Sequence, residues 1–227
     1  MKKKITFGIS LISLVAIMVT IGLMGSGFTS QFDEEDQEAF EAVVAADNAI
    51  LQTGVVSLDD LKIQTMSVNE IQQEQAILDK VVEEQSTPDY EKYFPSSRAE
   101  QLTEAHEVAL ENTNNEEVTV GGGTVDNQLL NIEEVSEGEK IVTVSEISWL
   151  ETIYQVDSGY TVNLIFNKDI STYRMTNENG SWRVSESLGC QKEFAPDDYQ
   201  GDKGTFDTFQ EAVEFAAELD VEAENPF

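Results

Sequence analysis

Cysteine and histidine are almost missing from this chain of 227 residues, which has one of each, Cys190 and His106. A disulfide within the monomer is therefore excluded, as are the usual Cys/His zinc sites. Basic residues are scarce as well, with 13 Lys and Arg against 44 Asp and Glu. Three of the thirteen are Lys2, Lys3 and Lys4, and every acid lies at or after Asp33. Residues Gln31–Phe227 thus hold ten bases against 44 acids, a formal charge of −34. Such a body argues against nucleic acid as a partner, because affinity for phosphates rests on Lys and Arg displacing counterions. It argues equally against docking on anionic lipid.

Long apolar runs are scarce too; the one that stands out is Ile5–Gly25, with 14 apolar residues, four Ser or Thr and three Gly among its 21. As a helix it would be roughly 30 Å long, the thickness of a bilayer's hydrocarbon core. With Lys2–Lys4 held inside, the expectation is a single-pass anchor with the C-terminal part outside, or a secreted protein if Gly25-Ser26-Gly27 is cut. Membrane contact is expected through residues 5–25 only. Lys outnumbers Arg, and together with the acidity this points to a Gram-positive bacterium of salty or alkaline surroundings.

The acidity does not mean disorder, since 11 Phe, 6 Tyr and 2 Trp can build a core. The pattern predicts an α+β protein, with N-terminal helices followed by a curved antiparallel meander of about four strands and a C-terminal helix. Expected regions are 1–30 (signal or anchor), 31–86 (acidic helices), 87–204 (α+β domain) and 205–227 (last helix and acidic tail). Helical spacing covers Phe32–Leu51 and ends at Gly54. Ser57, Asp59 and Asp60 read as a loop. Ser67–Glu70 and Ser97–Glu100 read as capping boxes opening further helices, and Thr208 with Glu211 caps the last one. Gly121–Gly123 reads as a breaker.

Strands are expected at Val125–Val135, Lys140–Tyr154, Tyr160–Thr176 and Ser181–Ser185, joined by Gly-containing hairpin turns. In the third run the apolar parity shifts between Phe166 and Tyr173. A bulge near Asn167–Asp169 or a separate tight turn would explain that shift. Pro196–Gly204 reads as a polar loop.

Helices followed by antiparallel strands, closing on Tyr173-x-Met175 and on Asn179-Gly-Ser-Trp-Arg-Val184, resemble the nuclear-transport-factor-two-like, or cystatin-like, cone fold. The likeness spans about residues 88–200. It implies a strongly curved sheet wrapping a long helix and enclosing a pocket. The chain is also similar to the non-catalytic region preceding amidase domains in exported Gram-positive proteins, where a Trp strand is followed by an Asp-Asp-Tyr loop, as at Asp197–Tyr199. It departs from them in that no amidase sequence follows before Phe227. Fold likeness by itself does not carry function.

Cys190 and His106 are the only thiol–imidazole combination available to a nucleophilic mechanism. His106 stands among Glu104 and Glu107 on a face expected to be wet, and the bland reading of both residues is preferred. Asp197, Asp198 and Asp202 form the best local carboxylate cluster, but they lack EF-hand spacing, so no metal is expected there. No cofactor is implied. Trp149, Tyr154, Tyr160, Phe166 and Tyr173 could line a ligand pocket on the sheet, while Trp182 reads as core. The expectation is a non-catalytic binding or accessory module at the cell envelope, taking an envelope protein, peptide or small ligand. The alternatives are a small cell-wall enzyme with an aromatic-lined cleft and a solvating acidic surface protein.

Overall fold

Asp33 opens the first helix, α1 (Glu34–Leu51), through a reciprocal cap: its carboxylate accepts from the Asp36 N–H at 2.9 Å, and Asp36 accepts from the Asp33 N–H. Two of the free N–H groups at the helix start are satisfied in this way. The structure is a computed structural model that describes residues 32–65, 74–114, 116–194 and 201–227. After α1 come α2 (Leu58–Thr65), α3 (Glu74–Glu84), a short 3-10 turn at Tyr90–Lys92 and α4 (Ser96–Glu111). Five strands follow, β1 (Glu117–Ser136), β2 (Glu139–Val156), β3 (Gly159–Glu178), β4 (Ser181–Phe194) and β5 (Gly201–Phe206), and then α5 (Phe209–Ala216) and α6 (Val221–Glu224). The protein is α+β, and residues 33–227 form one compact unit.

The sheet is antiparallel in the order β1-β2-β3-β4, with β5 also paired to β3. Since β4 meets Asn167–Glu178 and β5 meets Tyr160–Leu164, the two lie end to end along the same edge of β3. Asn179 and Gly180, both at positive φ, make the two-residue turn between β3 and β4.

Several local expectations are corrected. The Ser57–Asp60 segment opens α2 instead of remaining a loop, with Ser57 accepting from the Asp60 N–H. The chain leaves Pro95 directly into α4, whose start has no side-chain cap, so Ser97 and Glu100 form no capping box. The Ser67–Glu70 box lies outside the described residues. The cap of Thr208 with Glu211 is present at α5. Gly121–Gly123 are not a breaker but part of β1, and α1 and β2 occupy the space that side chains at Gly121 and Gly122 would need. A Cβ on Gly122 would sit 2.6 Å from the Leu51 carbonyl oxygen, and one on Gly121 would sit 2.7 Å from the Trp149 ring. The end of the expected polar loop, from Gly201, is the start of β5, and β4 runs nine residues beyond the expected Ser185 to Phe194.

The parity shift in β3 has a different cause from either of the two expected. Pairing of β2 with β3 runs one to one from Glu139↔Thr176 to Val156↔Gly159 without a register shift, so there is neither a turn nor a bulge between them. Alternate residues of an unbulged strand point to opposite faces. Val142, Val144, Tyr173 and Met175 pack with Ala39, Phe40 and Val43 of α1. Ile153, Tyr160 and Val162 pack on the other face with Leu61 of α2, Ile77 and Leu78 of α3, and Phe209 and Val213 of α5. The long strands bury one face at one end and the opposite face at the other.

The membrane expectation is also corrected. Among the described residues no helix is long and apolar enough to cross a membrane, and segment 5–25 lies outside those residues. A single-pass or secreted placement is therefore not retained.

Candidate functional site

Where burial changes from one face of the sheet to the other, the inward positions become polar. Register places Asn127, Glu146, Asp169 and Lys192 in one row across β1, β2, β3 and β4. Glu146 continues the inward alternation of Val142 and Val144, as Asp169 does that of Tyr173 and Ser171. Over this row lies α1, which contributes Asp47 at the position one turn beyond Val43. Asp47, Glu146 and Asp169 retain 6%, 7% and 6% exposure, which puts three carboxyl groups nine-tenths buried in one place.

Few donors face these carboxyls. Tyr173 Oη donates to Asp47 Oδ1 at 2.8 Å. Lys192 Nζ stands 3.7 Å from Asp169 Oδ2, beyond a normal hydrogen bond, with its side chain 47% exposed. Asp47 Oδ2, Glu146 Oε2 and Asp169 Oδ1 are buried and receive no hydrogen bond from an N–H or hydroxyl of the described residues, while a proton between Asp47 and Glu146 joins those two carboxyls.

Electrostatics follows from this geometry. Burial raises the Glu146 carboxyl to about 8, helped by the negative charge of Asp47 beside it. Burial raises Asp47 to about 6, and the Tyr173 hydrogen bond holds it below a further rise. Burial raises Asp169 also, with Lys192 opposing. The Tyr173 phenol is pushed above its ordinary range by burial and the neighbouring Asp47 charge, so it stays a donor. At neutral pH the Asp47–Glu146 pair therefore keeps a proton, because two buried like charges cannot both ionise cheaply.

The aromatic residues expected to line a pocket are divided among separate places. Trp149 and Phe166 are directly opposite in β2 and β3 and pack with Ile147 and Leu164. Tyr160 packs edge-on against Phe209, ring centroids 5.4 Å apart, and its hydroxyl donates to Glu74. Tyr154 donates to Asp202. Of the five, Tyr173 reaches the carboxyl cluster. Trp182 is buried in the α1 core beneath Lys140, whose Nζ is 5.4 Å from the ring centroid.

His106 is not on a wet face but buried at 1% exposure, and its Nδ1 accepts from the Gly54 N–H at 2.9 Å. Burial lowers its pKa and keeps it neutral. Cys190 is an exposed free thiol on β4 opposite Ser171. One residue is thus engaged with backbone inside the fold while the other faces solvent. Asp197 and Asp198 lie outside the described residues. Asp202 is engaged by Tyr154, and among the described residues no group of three His, Cys, Asp or Glu could hold a metal ion. An open polar depression of about 240 Å³ between the ends of α1 and α4, lined by Thr53, Asn112, Thr113, Asn114, Glu117 and Thr119 among others, holds no buried charged side chain.

Sequence reasoning missed Asp47, Glu146 and Asp169. The signal was the alternation itself, which puts Glu146 in register with Val142 and Val144, and Asp169 with Ser171 and Tyr173. No protein-family model, curated protein or solved structure matches the chain.

Proposed function

We propose that this chain is a non-catalytic binding or accessory module whose ligand site is the carboxyl cluster between α1 and the sheet. The observation that carries this reading is the set of three nine-tenths-buried carboxyl groups, each with an oxygen that no N–H or hydroxyl of the described residues reaches. Leaving a buried acceptor unmade costs about 1–3 kcal/mol, more for a charged group. A fold that retains three such groups in one place is better explained by a ligand than by stability. The likeness to the cone fold favours the same location, since a pocket between helix and sheet is what that resemblance implies. The envelope setting is not carried into this reading, because it rested on segment 5–25.

A rival reading is an acid–base enzyme. What favours it is that Asp47 and Glu146 are raised into the neutral range, where a carboxyl group can both give and take a proton. One experiment separates the two. Pools of small cationic, neutral and anionic compounds are screened by melting temperature against the wild type and Glu146→Gln, and each hit is checked for consumption. A compound that stabilises only the wild type and is recovered unchanged is the expected result. Turnover would transfer the site to the enzyme reading, and the lack of any Glu146-dependent ligand would contradict the module.

A further inference from the structure

α1 and β2 meet through two acids, Asp47 and Glu146, that are hydrogen-bonded to each other by a shared proton and are both nine-tenths buried. Tyr173 Oη adds a second bond to Asp47 at 2.8 Å. The charged and titratable groups facing the pair are Asp169 and Tyr173 from β3 and Lys192 from β4, while β1 contributes the uncharged Asn127 to the same row. Lys192 is the one cation among them, and its Nζ stands 3.7 Å from Asp169 on a side chain that remains half exposed. We propose that the pair is a pH-operated latch, which fastens α1 to the sheet while it holds its proton and lets α1 swing outward about its C-terminal end when the proton is lost.

Loss of the proton turns a hydrogen bond into a contact of like charges. Asp47 and Glu146 would both be anions inside the protein, with Asp169 beside them and Lys192 only loosely placed to answer. Buried charges are screened far less than exposed ones, so the repulsion has to be relieved by movement or by water entering. The sheet is not the part that yields, because Glu146 and Asp169 are directly opposite in the unbroken pairing of β2 with β3. α1 is held to the sheet through its side chains, and it is the part that can move.

The two ends of α1 are fastened differently. At the C-terminal end the Asn48 amide accepts the Thr124 N–H at 3.0 Å and donates to Thr124 Oγ1 at 3.1 Å, Gln52 donates to the Gly122 carbonyl, and none of these groups titrates. This end is the pivot. Toward the N-terminal end the hold is the packing of Phe40 and Val43 with Val142, Met175 and Trp182, together with one ion pair, Lys140 to Asp36 at 2.6 Å. Asp47 stands next to the pivot, so a small displacement of its carboxyl is multiplied at Asp36, about three turns or roughly 16 Å along the helix. The swing uncovers the apolar strip that includes Trp182, which lies beneath Lys140. Since the latch needs no ligand, it stands apart from the reading of the cluster as a ligand site.

A carboxyl whose folded value is raised stabilises the closed state at low pH and loses that contribution as pH rises, so the latch is closed at pH 6 and opens through about pH 8. Acrylamide quenching of tryptophan fluorescence in the full chain tests this. Trp149→Phe leaves Trp182 as a reporter in the α1 core, and Trp182→Phe leaves Trp149 as a control on the opposite face of the sheet. From pH 6 to 9 the quenching constant of Trp182 is expected to rise several-fold with a midpoint near 8, while that of Trp149 and the far-ultraviolet circular dichroism stay unchanged. Glu146→Gln, whose amide donates to Asp47 without titrating, should keep Trp182 protected throughout, as should Asp47→Asn, which leaves no second charge. A melting curve on each variant verifies that it is folded. Trp182 still protected at pH 9, a rise that persists in Glu146→Gln, or an equal rise at Trp149 would each overturn the latch. No ligand enters this experiment, so its failure leaves the module reading to the compound screen.

Discussion

Tyr173 on β3 donates its hydroxyl proton to Asp47 on α1 at 2.8 Å, across 126 residues of sequence and inside the protein. This hydrogen bond ties the first helix to the sheet at the point where the apolar packing between them gives way to carboxyl groups. Asp47 is hydrogen-bonded from the sheet by Glu146 of β2 as well, through the proton the two carboxyls share.

Tyr173→Phe keeps the ring packing and removes that donor. Asp47 Oδ1 would then be buried without its donor, a cost of about 1–3 kcal/mol. The loss is expected to be larger at pH 8, where Asp47 must ionise, than at pH 5, where a proton satisfies it. Urea unfolding of wild type and variant at the two pH values measures the difference, and equal losses would contradict the account of Asp47.

Glu151 offers a cleaner titration, because its rise to about 7 comes from burial alone. An acid whose folded pKa exceeds its unfolded value binds more protons when folded, so stability falls as pH rises. Its contribution is complete below about pH 4.5 and is lost as pH rises through 7, amounting to about 3 kcal/mol at 1.36 kcal/mol per pKa unit. Glu151→Gln cannot ionise and should gain stability over wild type at pH 8 but not at pH 4. A constant difference across that range would contradict the burial account.

His106 should behave with the opposite sign. Its folded pKa lies below the unfolded value, so the folded state resists the proton that the unfolded chain accepts. Stability from this residue is complete above pH 6.5 and declines as pH falls through that value. His106→Leu removes the pH-dependent part but leaves the Gly54 N–H unpartnered, for a loss of about 1–3 kcal/mol at pH 8. Guanidinium denaturation from pH 5 to 8 resolves both effects.

Much of the architecture was legible in the sequence, since alternation and hairpin turns mark β2, β3 and the start of β4, and helical spacing marks α1, α4 and α5. What escaped had tertiary causes. Gly121–Gly123 look like a breaker until Leu51 and Trp149 are seen to occupy the space their side chains would need. The shift between Phe166 and Tyr173 looks like a bulge, because a single sequence does not show that helices cover opposite faces at the two ends of one sheet. His106 looks wet among its glutamates, yet its imidazole is taken inward by a backbone N–H far away in sequence. The candidate site was hidden for a related reason. In a chain with 44 acids, three that lie on inward positions do not stand out until register brings them together.

Gly122→Ala tests the close approach of helix and strand. The new methyl group would meet the Leu51 carbonyl oxygen at 2.6 Å, and backbone would have to shift to admit it. A loss of about 1–3 kcal/mol is expected by thermal or urea unfolding. Gly180→Ala gives a control, since its added carbon meets nothing within 4 Å and any cost there comes from the positive φ alone.

The central claim is that the buried Asp47–Glu146 pair keeps a proton at neutral pH. Carbon-13 NMR of the Glu146 side-chain carboxyl, followed from pH 4 to 9 in the wild type and in Asp47→Asn, addresses it most directly. The account expects a midpoint near 8 in the wild type, moved downward in Asp47→Asn, where the neighbouring negative charge is gone. A midpoint in the ordinary glutamate range, or one near 8 that Asp47→Asn leaves in place, would contradict it.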